Sequence, residues 1–193
     1  MDWKELRRAS AAVGQAVAGR LYPTARFVDG VADFRLPDGL PLEAKASNNI
    51  GHVTFTSPQL ELLANDDARV VVTVYDRTNA FTLANCEQVD RRRYPLGIHP
   101  ITAVARATVL VLDLPGSTLM ELIEDEGGYG VETQRLLQWA ARYKGDRGVV
   151  LPRRLNIRAC GRSATLTYKP LVWLDWPNDH RDLRSRSERS VPF

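Results

Sequence analysis

Asp33, Glu43 and Lys45 are the residues of this sequence whose types and spacing suit chemistry. Lys45 is one of only four lysines beside twenty-two arginines. Arginine is permanently charged, whereas lysine is a compact cation whose pKa its surroundings can move. Two carboxylates brought together make a hard-oxygen site suited to Mg²⁺ or Mn²⁺. A lysine beside them can orient or help deprotonate a water, and can offset charge growing on a phosphate. The chemistry would be metal-assisted hydrolysis of a phosphate ester. Against it stands a plain alternative: solvated charges on a hairpin are common, and acid-x-lysine recurs by chance.

For these residues to meet, the chain must reverse between them. Residues 26–36 alternate and are rich in strand formers, and residues 40–46 do so again. Between them, Pro37-Asp38-Gly39 has turn chemistry: proline presets its own φ and glycine supplies φ > 0. The prediction is a β-hairpin. Side chains alternate along a strand, so Glu43 and Lys45 share one face and Ala44 takes the other. Pairing about the 37–40 turn sets Asp33 across from Glu43.

Around the hairpin, residues 2–21 carry Leu6, Ala9, Val13, Ala16 and Val17 at helical spacing, with Asp2 placed to cap the start. Gly14 and Gly19 weaken that helix, and Tyr22-Pro23 ends it. Residues 47–51 read as a loop and 52–56 as a short strand. Ser57-Pro58 fits an N-cap and first-turn proline for a helix over 59–64. Residues 69–75 form an apolar, β-branched, buried strand, and residues 81–84 a further short one.

Helix, two-stranded hairpin, short strand, helix and buried strand, carrying Glu5, Asp33, Glu43-Ala44-Lys45, Gln59 and Val70-Val-Val-Thr-Val74, make a recognisable order. Residues 2–93 resemble the restriction-endonuclease-like, or PD-(D/E)xK, superfamily, and within it the archaeal Holliday-junction resolvases. The resemblance implies an α/β fold with a mixed central sheet flanked by helices. It implies a metal-dependent DNA endonuclease in which Asp33, Glu43 and the Ala44 carbonyl bind Mg²⁺ or Mn²⁺. Lys45 would position the attacking water, Glu5 add a carboxylate, and Gln59 orient the lysine or a water. The implied substrate is branched DNA, above all the four-way junction. Two symmetric cuts need two active sites, so a homodimer follows.

The resemblance covers about half of the chain, and residues 103–193 lie beyond it. There, residues 105–114 read as a strand, 118–125 as a short acidic helix, and 131–143 as a helix with Leu136, Leu137, Ala140 and Tyr143 inward. Residues 149–159 and 163–173 read as strands. The expected organisation is a nuclease-like core (1–100), an appended C-terminal α+β extension (101–178) and a basic tail (179–193). Arg91-Arg92-Arg93 could hold phosphates flanking a cut or form a solvated turn. Arg181, Arg184, Arg186 and Arg189 lie in the tail among serines and acids.

A formal net charge of +3 permits nucleic acid without demanding it. Cys86 and Cys160 are far apart and form no CxxC pair, and His52, His99 and His180 lack metal-ligand spacing, which disfavours thiolate and imidazole metal sites. No glycine-rich phosphate loop is present, and Gly127-Gly-Tyr-Gly130 reads as a turn. Trp139, Trp173 and Trp176 read as core or edge aromatics. No signal peptide or bilayer-length apolar run is found, so a cytoplasmic protein without membrane attachment is expected. Two other functions fit the same residues. One is a restriction, repair or mobile-element nuclease acting on duplex or single-stranded ends. The other is a non-catalytic DNA-binding or assembly protein with a nuclease-like fold.

Overall fold

The computed structural model describes residues 3–65, 68–84, 100–142, 149–150, 156–160 and 163–167. In chain order, its first half holds α1 (Trp3–Leu21), β1 (Arg26–Phe27), β2 (Phe34–Arg35), β3 (Pro41–Asn48), β4 (His52–Thr54), α2 (Ser57–Asn65), β5 (Arg69–Tyr75) and α3 (Arg77–Ala84). The second half holds α4 (Pro100–Arg106), β6 (Thr108–Pro115), α5 (Gly116–Glu124), β7 (Gly130–Glu132) and α6 (Thr133–Arg142). It ends in β8 (Val149–Val150), β9 (Asn156–Cys160) and β10 (Ser163–Thr167).

A mixed six-stranded sheet of order β1-β2-β3-β5-β6-β8 forms the centre. Among the described residues its one parallel pair is β3 with β5, and β4 and α2 lie in the crossover that a parallel pair requires. Period-two alternation sorts the buried strands between two apolar layers. Leu42, Val71, Tyr75 and Val111 face Leu6, Val13 and Val17 of α1 and Val104 of α4. Val70, Val72, Val74, Leu110, Leu112 and Leu114 face Leu63 of α2, Leu119 of α5, and Leu136 and Leu137 of α6. A sheet covered on both faces explains why β5 is apolar along nearly its whole length.

The hairpin turn falls where its residues place it. Gly39 has φ +91°, the Leu40 N–H donates to Asp38 Oδ1, and the Leu36 and Leu40 backbones pair. Phe34 then opposes Leu42, and Asp33 follows just past the end of that pairing. Residues 26–36 are not one strand, however. They form β1 and β2, antiparallel to each other, because the chain bends back over 28–33 where Asp29 and Gly30 interrupt the apolar alternation.

Other expectations are corrected. Residues 81–84 close helix α3, whose first turn is capped by Asp76 accepting the Asn79 N–H. The expected strand from 105 begins at Thr108, after α4. Residues 130–132 pair as β7 with β4 in a separate two-stranded sheet, ahead of α6. The division at residue 100 does not separate two cores. β6 is hydrogen-bonded along β5, and α5 and α6 complete the apolar layer over it, so the second half builds the central fold rather than being appended to it. Tyr143, Trp173, Trp176, Cys86, His99, His180 and the tail from 179 lie outside the described residues. Among the described residues, no helix is long and apolar enough to cross a membrane.

Candidate active site

β3 runs for eight residues, but β2 covers only its first two. Past Leu42 the β2 side of β3 is therefore open, while the other side stays paired with β5 as far as Asn48. A cleft of about 690 Å³ opens there, lined by Asp33, Glu43, Ala44, Lys45 and Gln59, with Gln15 from α1. The fold thus creates the site by ending one strand early beside a longer one.

Each functional side chain is held by named contacts. The Ala44 N–H donates to Asp33 Oδ2 at 2.9 Å, taking the place of the strand bond that β2 no longer supplies. The N–H and C=O of one strand residue face the same edge, so the Ala44 carbonyl also faces the cleft side. Gln15 Nε2 donates to Asp33 Oδ1 at 2.9 Å. Glu43 Oε1 accepts from Gln59 Nε2 at 2.7 Å and pairs with Lys45 Nζ at 2.9 Å. Lys45 Nζ also donates to Gln59 Oε1 at 3.0 Å. The Thr56 N–H donates to that same oxygen, which fixes the orientation of the amide. Lys45 Nζ lies 5.1 Å from the centroid of the Phe55 ring, so an aromatic face supports the cation from below.

Formal charge in the cleft balances, Asp33 and Glu43 against Arg7 and Lys45, but hydrogen bonding does not. Glu43 is only 2% exposed, and its Oε2 is buried with no hydrogen-bond partner. Burial, followed by the neighbouring Asp33 charge, pushes its carboxyl up to about 7, against the pull of Lys45. A buried carboxylate oxygen without a donor is costly, and a divalent cation would satisfy it. The donor set fits Mg²⁺ or Mn²⁺: all oxygen, two carboxylates and a strand carbonyl, with water to complete the shell, as Mg²⁺ commonly retains several waters. Among the described residues, no group of three or more His, Cys, Asp or Glu side chains gathers to hold a metal, so the carboxylate count here is two.

Of the residues expected at the site, Asp33, Glu43, Ala44, Lys45 and Gln59 converge. Glu5 does not join them. It is exposed in the first turn of α1, ten residues and so about 15 Å of helix axis before Gln15, and does not line the cleft. Arg91, Arg92 and Arg93 lie outside the described residues. Gln15 and Phe55 were not anticipated. Gly14 is the signal that would have found Gln15. A Cβ at Gly14 would stand 3.1 Å from Ala46 Cβ and 3.3 Å from the Lys45 carbonyl carbon, so α1 meets β3 backbone to backbone there and carries the next residue to Asp33. A larger groove of about 960 Å³ lies over α5 and α6. Its Asp125 and Glu126 are paired with Arg135, Glu121 and Glu132 line it as well, and no lysine stands among its lining residues. No family model matches the chain, and neither a curated protein nor a solved structure matches it.

Proposed function

We propose that this protein is a metal-dependent endonuclease that hydrolyses DNA phosphodiesters, using Mg²⁺ or Mn²⁺ held by Asp33, Glu43 and the Ala44 carbonyl. The observation that carries this reading is the buried, partnerless Oε2 of Glu43 beside Asp33, in the same cleft as a lysine. When bound, the cation would polarise the phosphate and lower the pKa of a coordinated water. Lys45 has three donors. Two are engaged by Glu43 and Gln59, which leaves the third for the attacking water or a nonbridging phosphate oxygen. Gln59 ties the lysine to the metal-binding carboxylate, so the two keep their relative placement as charge develops. Arg7 lines the same cleft and gives the incoming phosphate a cationic approach.

Branched DNA, the four-way junction above all, is the substrate that the sequence resemblance favours, with a homodimer supplying two cuts. The test is incubation with labelled junction, duplex and single strand in Mg²⁺, Mn²⁺ or EDTA. Paired symmetric cuts in the junction, abolished by EDTA, are expected. Cutting of duplex or single strands alone would support a restriction, repair or mobile-element nuclease instead. Tight DNA binding with no cutting in either metal would leave a DNA-binding protein with a nuclease-like fold.

A further inference from the structure

α1 delivers an uncharged amide to Asp33. Val13 and Val17 are fully buried, which fixes the rotation of the helix. The close approach at Gly14 fixes its distance from β3. Gln15 is consequently presented to Asp33 and bonds Oδ1 at 2.9 Å, while the Ala44 N–H bonds Oδ2. Both donors are neutral. They set the plane of the Asp33 carboxylate without cancelling its charge, and each oxygen keeps a lone pair. Glu43, by contrast, shares Oε1 with Lys45 and Gln59 and leaves Oε2 unpartnered. Two carboxylates are the cleft's whole acidic lining, and Arg7 and Lys45 stand in the same lining, which suits one dication rather than two.

Resting on the metal-dependent reading above, we propose that Gln15 is a positioning residue for Asp33, and that with glutamine rather than an acid there the cleft takes one divalent cation. Gln15 acts through Asp33 and touches neither water nor phosphate. A glutamate at the same place would add a third carboxylate and make room for a second ion, because paired-metal phosphodiesterases need enough anionic oxygens to hold both.

The test is titration of the full-length protein with Mn²⁺, following free Mn²⁺ by electron paramagnetic resonance, alongside thermal melts to establish folding. Wild type is expected to bind one Mn²⁺. Gln15→Ala and Gln15→Met should keep one site with affinity lowered about tenfold, the usual loss when the partner of a ligand is removed. Gln15→Asn, with a shorter amide, should recover part of that loss. Gln15→Glu should bind more tightly and take up a second ion. Two ions in wild type, or unchanged affinity in both Gln15→Ala and Gln15→Met, would overturn this inference while leaving the nuclease reading standing. No saturable Mn²⁺ binding by wild type would overturn both.

Discussion

Two acid–cation clusters flank the same sheet, and they are built to opposite ends. In one, Asp113 of β6 accepts the Tyr22 hydroxyl on both oxygens at 2.9 and 2.8 Å and pairs with Arg69 of β5 at 2.7 Å. One carboxylate meets one guanidinium and a neutral donor, with no oxygen left over. In the other, Lys45 pairs with Glu43 alone, Asp33 is met only by neutral donors, and Glu43 keeps a buried oxygen with no partner. Fully satisfied buried networks rigidify a fold, while partly satisfied ones cost stability. The Asp113 cluster ties the chain after α1 to the second half of the sheet. The Glu43 cluster stores an unmet demand that an external cation would fill, as expected where stability is given up for a binding site.

The sharpest way to break this contrast is to neutralise each cluster and watch cleavage. Asp33→Asn, Glu43→Gln and Lys45→Ala should each lower single-turnover cleavage by roughly a thousandfold or more, the scale of losing a preorganised electrostatic group, while DNA binding in EDTA persists. Asp113→Asn should leave cleavage within a few-fold of wild type. Equal losses from both clusters would mean that activity reports general fold integrity.

Stability should move the opposite way. In metal-free protein at pH 8, Glu43→Gln should raise the urea midpoint by an amount equivalent to about 2 kcal/mol, because a neutral amide replaces a buried charge that lacks full compensation. Asp113→Asn should lower it by about 2 kcal/mol, a figure reduced for partial exposure of the pair. Destabilisation by Glu43→Gln would contradict the picture of an unmet charge.

The same carboxylate sets a pH dependence. The Glu43 carboxyl in the fold titrates at about 7, against 4.5 ordinarily. Between those values the folded state holds a proton that the unfolded state has lost. This contribution to stability is therefore fully present below about pH 4.5 and is lost as pH rises through about 7. Its full extent is on the order of 3 kcal/mol. Denaturation midpoints of metal-free wild type and Glu43→Gln across pH 5 to 8 should diverge with rising pH, and added Mg²⁺ should close the gap for wild type alone. Parallel curves would place the titration elsewhere. Tyr22 behaves in the same sense at higher pH. Burial and the Asp113 carboxylate push its hydroxyl up to about 12, so its contribution holds below pH 10 and fades above it.

The smallest effects concern framing contacts. Tyr22→Phe should cost about 1 kcal/mol, the worth of its hydrogen bonding, and leave cleavage unchanged. Gly14→Ala should change stability by less than about 1 kcal/mol, because the gain in helix propensity offsets the crowding. Yet it should lower cleavage several-fold by pushing Gln15 away from Asp33. A stability loss without any catalytic effect would separate α1 from the site.

Much of the site was readable from local chemistry. Pro37-Asp38-Gly39 specified the turn, the turn specified the register, and the register set Phe34 opposite Leu42, which leaves Asp33 beside Ala44. Ser57-Pro58 announced α2, which brought Gln59. Phe81–Ala84 misled because a short apolar run fits a strand or a buried helix equally well, and the Asp76 cap depends on a bond three residues along the chain. The place of β6 in the central sheet was illegible for another reason: hydrophobic alternation reports that a strand is buried, not which strand it pairs with. Gln15 was hidden because its role arises where α1 crosses β3, thirty residues on in sequence.

The central claim is that Glu43 turns DNA cleavage on through a bound dication. Its most direct measurement is cleavage of a labelled four-way junction by wild type and Glu43→Gln, side by side, across a Mg²⁺ titration. The account predicts saturable, Mg²⁺-dependent cutting by wild type and none by Glu43→Gln, although both bind the junction in EDTA. Cutting by Glu43→Gln at the wild-type rate, or cutting by wild type that EDTA leaves undiminished, would contradict it.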